Sequence, residues 1–306
     1  MSTDQNNAAL VTMGLLTHRR EKYVREAVHA VLAQTYSPLQ IVVCDDASSD
    51  ATPDILAQEL GAYRGPHRIV FQRNDANMGI KNYNRLMTLA EGELIVVAHD
   101  DDVSRPDRVE RLVGAWRQSK ASLLSSNGIR ISEDGSEHGP FATAGIAKAF
   151  SAEEIVTREW SPWLFGGALA WERKVFDVFG PLNPAKSAVS TDWILPFRAS
   201  LLGGIAVVDE PLLKIRIHTG SKTSALFGDS ENLAWSEINL AHALGQFHYM
   251  LDTLAEPQTK DLIPNERREN LRLLLLRTIL AKLGDWRLCR NQLLASGHRA
   301  RWLPPA

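Results

Sequence analysis

The sequence predicts an α/β fold, a mixed and mostly parallel sheet sandwiched by helices, with a helical C-terminal extension. Three observations predict it. Short apolar, β-branched runs alternate with amphipathic helical patterns through the first half of the 306 residues. Acidic residues cluster directly after two of those runs, and beyond residue 230 the pattern is helical almost to the end.

Residues 10–16 read as the first strand. Tyr23, Val24, Ala27, Val28, Val31 and Leu32 then recur at helical spacing and make one apolar face. Residues 40–44 (QIVVC) form the second strand. Thr52-Pro53-Asp54, a cap with proline at the first helical position, opens a helix to about residue 60. Residues 68–71 are a third short strand. Ile80, Tyr83, Leu86, Met87 and Ala90 mark another amphipathic helix, and residues 94–98 (LIVVA) a fully apolar strand. Pro106 opens the next helix, with Val109, Leu112, Val113 and Trp116 on one face, and residues 123–126 continue the alternation. Such alternation implies right-handed crossovers and a parallel sheet covered on both faces, which binds ligands where its strands end.

The second half is less regular. Ser151-x-x-Glu154 is a capping-box pattern. Residues 166–171 read as a strand, 191–202 as a helix, and 205–208 and 213–217 as strands. The expected organisation is a sheet-bearing unit over 1–225, in halves 9–120 and 121–225, followed by a helical region over 226–306.

Composition narrows the classes. Apolar residues are 44% and charged residues 23%, ordinary globular usage rather than disorder. A formal charge of −2 supplies no basic field for nucleic acid. Cys44 and Cys289 stand far apart in no metal-ligand spacing, so a reducing compartment fits. The polar first residues carry no secretory pattern, and no run approaches the ~20 apolar residues that span a bilayer. The expectation is a cytoplasmic protein, at most peripheral at the inner face of a membrane.

The chemistry lies after the second and fourth strands. There the chain reads Asp45-Asp46-Ala47-Ser48-Ser49-Asp50 and His99-Asp100-Asp101-Asp102. Two adjacent carboxylates after a buried strand belong in the edge loop, because uncompensated buried charge is costly. Asp50 reads as a helix cap, and Asp46 as an acceptor for a nucleobase or ribose. Three consecutive carboxylates repel one another and call for a counter-charge, which a divalent cation supplies. Hard oxygen ligands select Mg²⁺ or Mn²⁺. The plainer reading is a solvated acidic turn favoured by the helix dipole that follows.

These residues carry a resemblance. Thr17, the run Leu32-Ala33-Gln34-Thr35-Tyr36, residues 41–48, Asn77-x-Gly79, Asn84, Ala90-Glu91-Gly92-Glu93 and residues 99–106 together resemble family 2 glycosyltransferases of the GT-A, Rossmann-like fold. The likeness covers roughly residues 9–220. It implies an enzyme that moves a sugar, with inversion, from a nucleotide diphosphate-sugar (UDP-, dTDP- or GDP-linked) to a hydroxyl of a glycan or lipid-linked acceptor. Bacterial surface polysaccharide or lipopolysaccharide assembly is the expected setting. By the resemblance Asp46 contacts the base with Asp45 supporting the loop, and Asp100 lies near the ribose. Thr17 joins the nucleotide-contacting residues, with Asn77, Gly79 and Lys81 of the loop that lines the nucleotide. Asp101, with Asp102, binds the metal, and His218 approaches metal or diphosphate. His99 and Arg19 stand where the family usually has an aspartate and an asparagine.

Asp192 takes the place of the family's general base. Its plainer reading is a first-turn helix aspartate. His218 and Lys222 have equally plain readings, a structural histidine and a solvated lysine. Trp163 and Phe165, beside Gly166-Gly167, either shape an acceptor pocket or fill core. Two rivals remain: a nucleotidyltransferase, for which the Leu16–Arg20 segment lacks the glycines, and a non-catalytic binding module. Between Arg267 and Arg301 basic residues outnumber acidic ones among many leucines. The expectation is a helical pair packed on the sheet-bearing unit or on a twin subunit, the alternative an interfacial membrane helix.

Overall fold

A computed structural model of the chain describes residues 8–142, 149–157, 164–185, 191–220 and 233–295. The first half runs β1 (Val11–Thr17), α1 (Val24–Leu32), β2 (Leu39–Asp45), α2 (Thr52–Ala62), β3 (Arg68–Arg73), α3 (Lys81–Leu89), β4 (Leu94–His99), β5 (Val103–Ser104), α4 (Arg108–Ser119) and β6 (Leu123–Ile131). Then follow β7 (Glu137–Pro140), β8 (Ala149–Phe150), α5 (Ala152–Thr157), β9 (Ala170–Glu172), α6 (Lys174–Phe179), α7 (Thr191–Ser200) and β10 (Ile205–Arg216). Three helices close the described chain: α8 (Leu233–Ala255), α9 (Pro257–Leu262) and α10 (Asn265–Ala295).

The strands form one sheet in the order β3-β2-β1-β4-β9-β6-β10-β5, with β7 on β6 and β8 on β10. β3, β2, β1 and β4 run parallel, as does the β6–β10 pair. β9 inserts antiparallel between β4 and β6, which makes the sheet mixed. Alternate residues of the central strands serve opposite faces. Ile41, Val43, Leu94 and Val96 join the core under α1 and α4, while Val42, Cys44, Ile95 and Val97 join the core under α3 and α7. Both faces are covered, so the runs read as continuously apolar. Phe247, Met250, Leu271 and Leu275 of the C-terminal helices belong to that second core.

The capping box forms as expected: Ser151 N–H donates to Glu154 at 2.9 Å, and Glu154 N–H to Ser151 Oγ at 3.1 Å. Two strand readings are corrected. Residues 205–208 and 213–217 are a single strand, β10, with a register shift around Pro211. Of residues 166–171 only the end is strand; Gly166–Ala168 is a 3₁₀ turn. Two consecutive glycines have no side chains to pack on a pleated surface.

Candidate active site at the carboxyl edge of the sheet

In the sheet register Thr17 lies beside Asp45, and Leu16 beside both Cys44 and His99. Three parallel strands therefore deliver Thr17, Asp45-Asp46 and His99–Asp102 to one edge. Asp45 and Asp46 do not sit in open loop: they are 0% and 4% exposed. Their charge is tolerated because it is compensated. Asp45 accepts from the Ser48 hydroxyl and N–H, and Arg73 Nε stands 3.4 Å away. Asp46 accepts three hydrogen bonds, from Asn74 Nδ2 (2.9 Å), Met78 N–H (2.8 Å) and Gly79 N–H (2.9 Å). Ala51 takes the N-cap position of α2, so Thr52, expected as the cap, is the first helical residue, and Asp50, just before the cap, accepts from Thr52 N–H at 3.1 Å.

Asp46 thus clamps the loop ahead of α3. Gly79, with φ +55°, bends that loop where a side chain would be strained. Asn77 accepts from Gly79 N–H and stands 3.0 Å from His18 Nε2, while His18 Nδ1 meets the Asp46 carbonyl at 2.8 Å. Lys81 is not a loop residue; it is exposed on the first position of α3.

The acidic run is gripped by arginines. Arg20 Nε stands 3.3 Å from Asp100 and 3.7 Å from Asp101, and His18 N–H donates to Asp100 at 2.8 Å. Arg216 N–H donates to Asp102 Oδ1 at 2.9 Å, and its guanidinium to the Asp101 carbonyl at 3.0 Å. Much of the counter-charge thus comes from the chain itself. It is incomplete. Burial, then Asp101, push the Asp100 carboxyl up to about 7 against Arg20, and the same two causes hold Asp102 well above the usual carboxylate range.

A divalent cation fits this arrangement. His99, Asp101 and Asp102 each offer one ligand atom, all within 4.8 Å of one another. Asp102 Oδ2 is buried and accepts no hydrogen bond among the described residues. Two carboxylates and an imidazole, with no thiolate among them, are a donor set for a divalent cation. His218, expected at the metal, is brought to Asp101, with Nε2 3.0 Å from Oδ2; His99, for which no ligand role was expected, is the imidazole of the gathered set.

Asp192 lies in the first turn of α7, where Thr191 Oγ1 donates to it at 3.3 Å. The Gly166–Gly167 turn separates it from the acidic run. A Cβ on Gly166 would stand 2.5 Å from Asp192 Oδ1; one on Gly167 would stand 2.8 Å from Asp102 Oδ2 and 3.0 Å from His99 Nδ1. Arg108, fully buried, fixes the turn by donating to the Gly167 carbonyl at 2.7 Å and to Ser104 at 2.9 Å. Tyr83, 3.5 Å from His99 Nε2, has its hydroxyl held above the ordinary range by burial and then by the Asp192 charge. Phe165 is buried and packs edge-on against His99 at 5.6 Å.

Sequence reading did not single out His18, Arg20, Arg108 or Arg216, nor His99 as a candidate ligand. His99 alone carried a signal, its place at the head of the acidic run. Arg20 lies on a loop, Arg216 at a strand end and Arg108 at the first position of α4, and no apolar periodicity marks any of them. Trp163 and Lys222 lie outside the described residues.

Comparison with known proteins follows from this geometry. The family model described as glycosyl transferase family 2 matches residues 14–181. An uncharacterized glycosyltransferase of Nostoc is 27% identical over 229 residues, 72% of this chain and 68% of the relative. The succinoglycan biosynthesis protein ExoO of Rhizobium meliloti is 30% identical over 140 residues, 45% of this chain and 38% of the relative. Among solved structures, Staphylococcus aureus TarS with UDP-GlcNAc gives a TM-score of 0.61 at 16% identity, covering 89% of this chain and 72% of the other. The mannosyltransferase of Pyrobaculum calidifontis with GDP-Man and Mn²⁺ gives 0.57 at 16%, covering 97% and 81%. At such identities the structural likeness concerns the fold, a GT-A-like sheet with helices on both faces.

Proposed function

Because the chain belongs to glycosyl transferase family 2 and is thereby a glycosyltransferase, we propose that it transfers a sugar from a nucleotide diphosphate-sugar to an acceptor hydroxyl with inversion, Asp192 acting as general base. The observation that carries this reading is the gathering of Asp192 with His99, Asp101 and Asp102 across one glycine turn.

An acceptor hydroxyl is a weak nucleophile. Asp192 takes its proton as the acceptor oxygen bonds to the anomeric carbon and the bond to the diphosphate oxygen breaks. Nucleoside diphosphate leaves from the opposite side, so one displacement inverts the centre and no covalent intermediate is required. Asp45, Asp46 and the clamped 74–79 loop form the nucleotide side, with Thr17, Asn77, Gly79 and Lys81 next to it. Asp100 is assigned to the ribose. Asp101 and Asp102, with His99 and His218 beside them, would hold Mn²⁺ or Mg²⁺, which as a Lewis acid stabilises charge on the departing diphosphate. The TarS complex with UDP-GlcNAc and the mannosyltransferase complex with GDP-Man support a nucleotide-sugar donor, UDP- or GDP-linked, and the second supports Mn²⁺. The likeness to ExoO, a succinoglycan biosynthesis protein, supports a setting in polysaccharide assembly, and the acceptor in this proposal is a glycan or lipid-linked glycan.

The test is Asp192→Asn, which keeps the side-chain shape beside Gly166. Release of nucleoside diphosphate in the presence of acceptor should fall by ~10²–10⁴-fold while donor still raises the melting temperature. Unchanged turnover would remove Asp192 from the reaction.

A further inference from the structure

The last long helix buries one side and leaves a second apolar face uncovered. Leu271 and Leu275 of α10 are buried in the core, and the helix packs against α8 and α5. On the other side Leu273, Leu276 and Leu280 are 49%, 38% and 68% exposed, and Leu288 further along is 65% exposed. The first three recur at i, i+3 and i+7, a single stripe along the helix.

Charge flanks the stripe. Arg272, Arg277, Arg287 and Arg290 are all exposed. By helical phase Arg272 and Arg290 border one side of the leucines and Arg277 the other, while Arg287 lies in line with the leucines two turns beyond Leu280. Of the three acids in α10, Glu269 is paired with Arg272 at 3.3 Å, Asp285 projects away from the leucines by the same phase, and Glu266, exposed in the first turn, lies two turns before the stripe begins. Leucines between rows of arginine match the boundary of an anionic bilayer, where the leucines enter the acyl region and the guanidinium groups reach back to the headgroups. A second copy fits less well. Parallel pairing sets arginine on arginine, and antiparallel pairing about Leu280 sets Arg272, Arg277 and Arg287 against leucines.

We propose that the exposed face of α10 docks the protein on an anionic lipid surface, with the helix lying in the membrane plane. No described helix is long and apolar enough to cross a membrane, so the contact is peripheral.

Flotation of the full chain with vesicles tests this by binding alone, so its outcome is independent of the proposed reaction. Vesicles of phosphatidylcholine with phosphatidylglycerol should carry the protein up the gradient, and phosphatidylcholine alone should not. High salt should release it. Arg277→Gln with Arg287→Gln should lower partitioning by about 25-fold, fivefold for each charge. Leu273→Gln with Leu276→Gln and Leu280→Gln should abolish binding with an unchanged melting temperature. Because these side chains are exposed, folding should survive; if it does not, the arginine variant and the salt series decide the same question. Equal binding to neutral and anionic vesicles, binding indifferent to both variants, or no binding at all overturns the proposal. So does a concentration-dependent dimer, in sedimentation, that Leu280→Gln dissolves.

Discussion

Asp45 and Asp46 are neighbours with one kind of side chain and opposite placements. Asp45 ends β2 and turns to Ser48 and Arg73, while Asp46 turns to the loop ahead of α3. Its remaining acceptor capacity is small, since a carboxylate has about four lone-pair sites and three hydrogen bonds already reach it. Cys44, one residue earlier, shows how completely the strand end is sealed. It is 0% exposed, and burial pushes its thiol up to about 12. Reactivity requires the thiolate, and at pH 7–8 almost none exists there. Cys44 should therefore resist iodoacetamide in the folded protein and react only after urea unfolding, read by peptide mass spectrometry. Rapid labelling of its peptide without denaturant would contradict the burial.

At the scale of elements, the motifs that carry the resemblance split between chemistry and architecture. Gln34 is buried; it donates to the Arg105 carbonyl at 2.8 Å and accepts from Val109 N–H at 3.1 Å. It thus ties the end of α1 to the opening of α4, just past the acidic run. Glu91 and Gly92 give their N–H groups to Thr12 and Gln40, at the opposite edge of the sheet from the site. The 3₁₀ turn at Gly166–Gly167 is the element that joins the halves of the site. Overpacking typically costs about 1–3 kcal/mol. Gly167→Ala should lose about that in urea unfolding, because the methyl meets Asp102, Phe165 and His99. Its larger effect should be on the cluster. Mn²⁺ affinity, followed by electron paramagnetic resonance of free ion, should drop, and an unaltered affinity would count against His99 and Asp102 as ligands.

At the scale of the molecule, Arg216 ties distant parts together. From the end of β10 it reaches the Asp101 carbonyl, the Ser132 and Glu133 carbonyls at 3.1 and 3.0 Å, and the Glu26 carboxylate of α1, with its guanidinium 5.0 Å from the Tyr23 ring centre. Arg216→Met keeps the bulk and removes every side-chain donor, leaving the backbone N–H to Asp102 in place. Loss of about 2–4 kcal/mol is expected in urea unfolding, since three part-buried hydrogen bonds to carbonyls and the Glu26 ion pair are lost at once. A loss below about 0.5 kcal/mol would show that water replaces the guanidinium.

The order of strands and helices, the sheet edge that holds the acids, and the capping box at Ser151 were legible in the sequence, because periodicity, proline placement and charge clustering are local signals. Gly166–Gly167 and β10 were misread for the same reason: a short apolar run has no local mark of turn or strand. Which carboxylate meets which partner was decided only by tertiary structure. His18 and Arg20 of the β1–α1 loop and Arg216 at the end of β10 lie far along the chain from Asp100–Asp102, and their contacts with that run are a long-range choice, while Arg108 at the start of α4 reaches instead to the Gly167 turn. The same holds for the leucines of α10. Their apolar character is written in the sequence, but only packing against α5 and α8 determines which of them remain facing water.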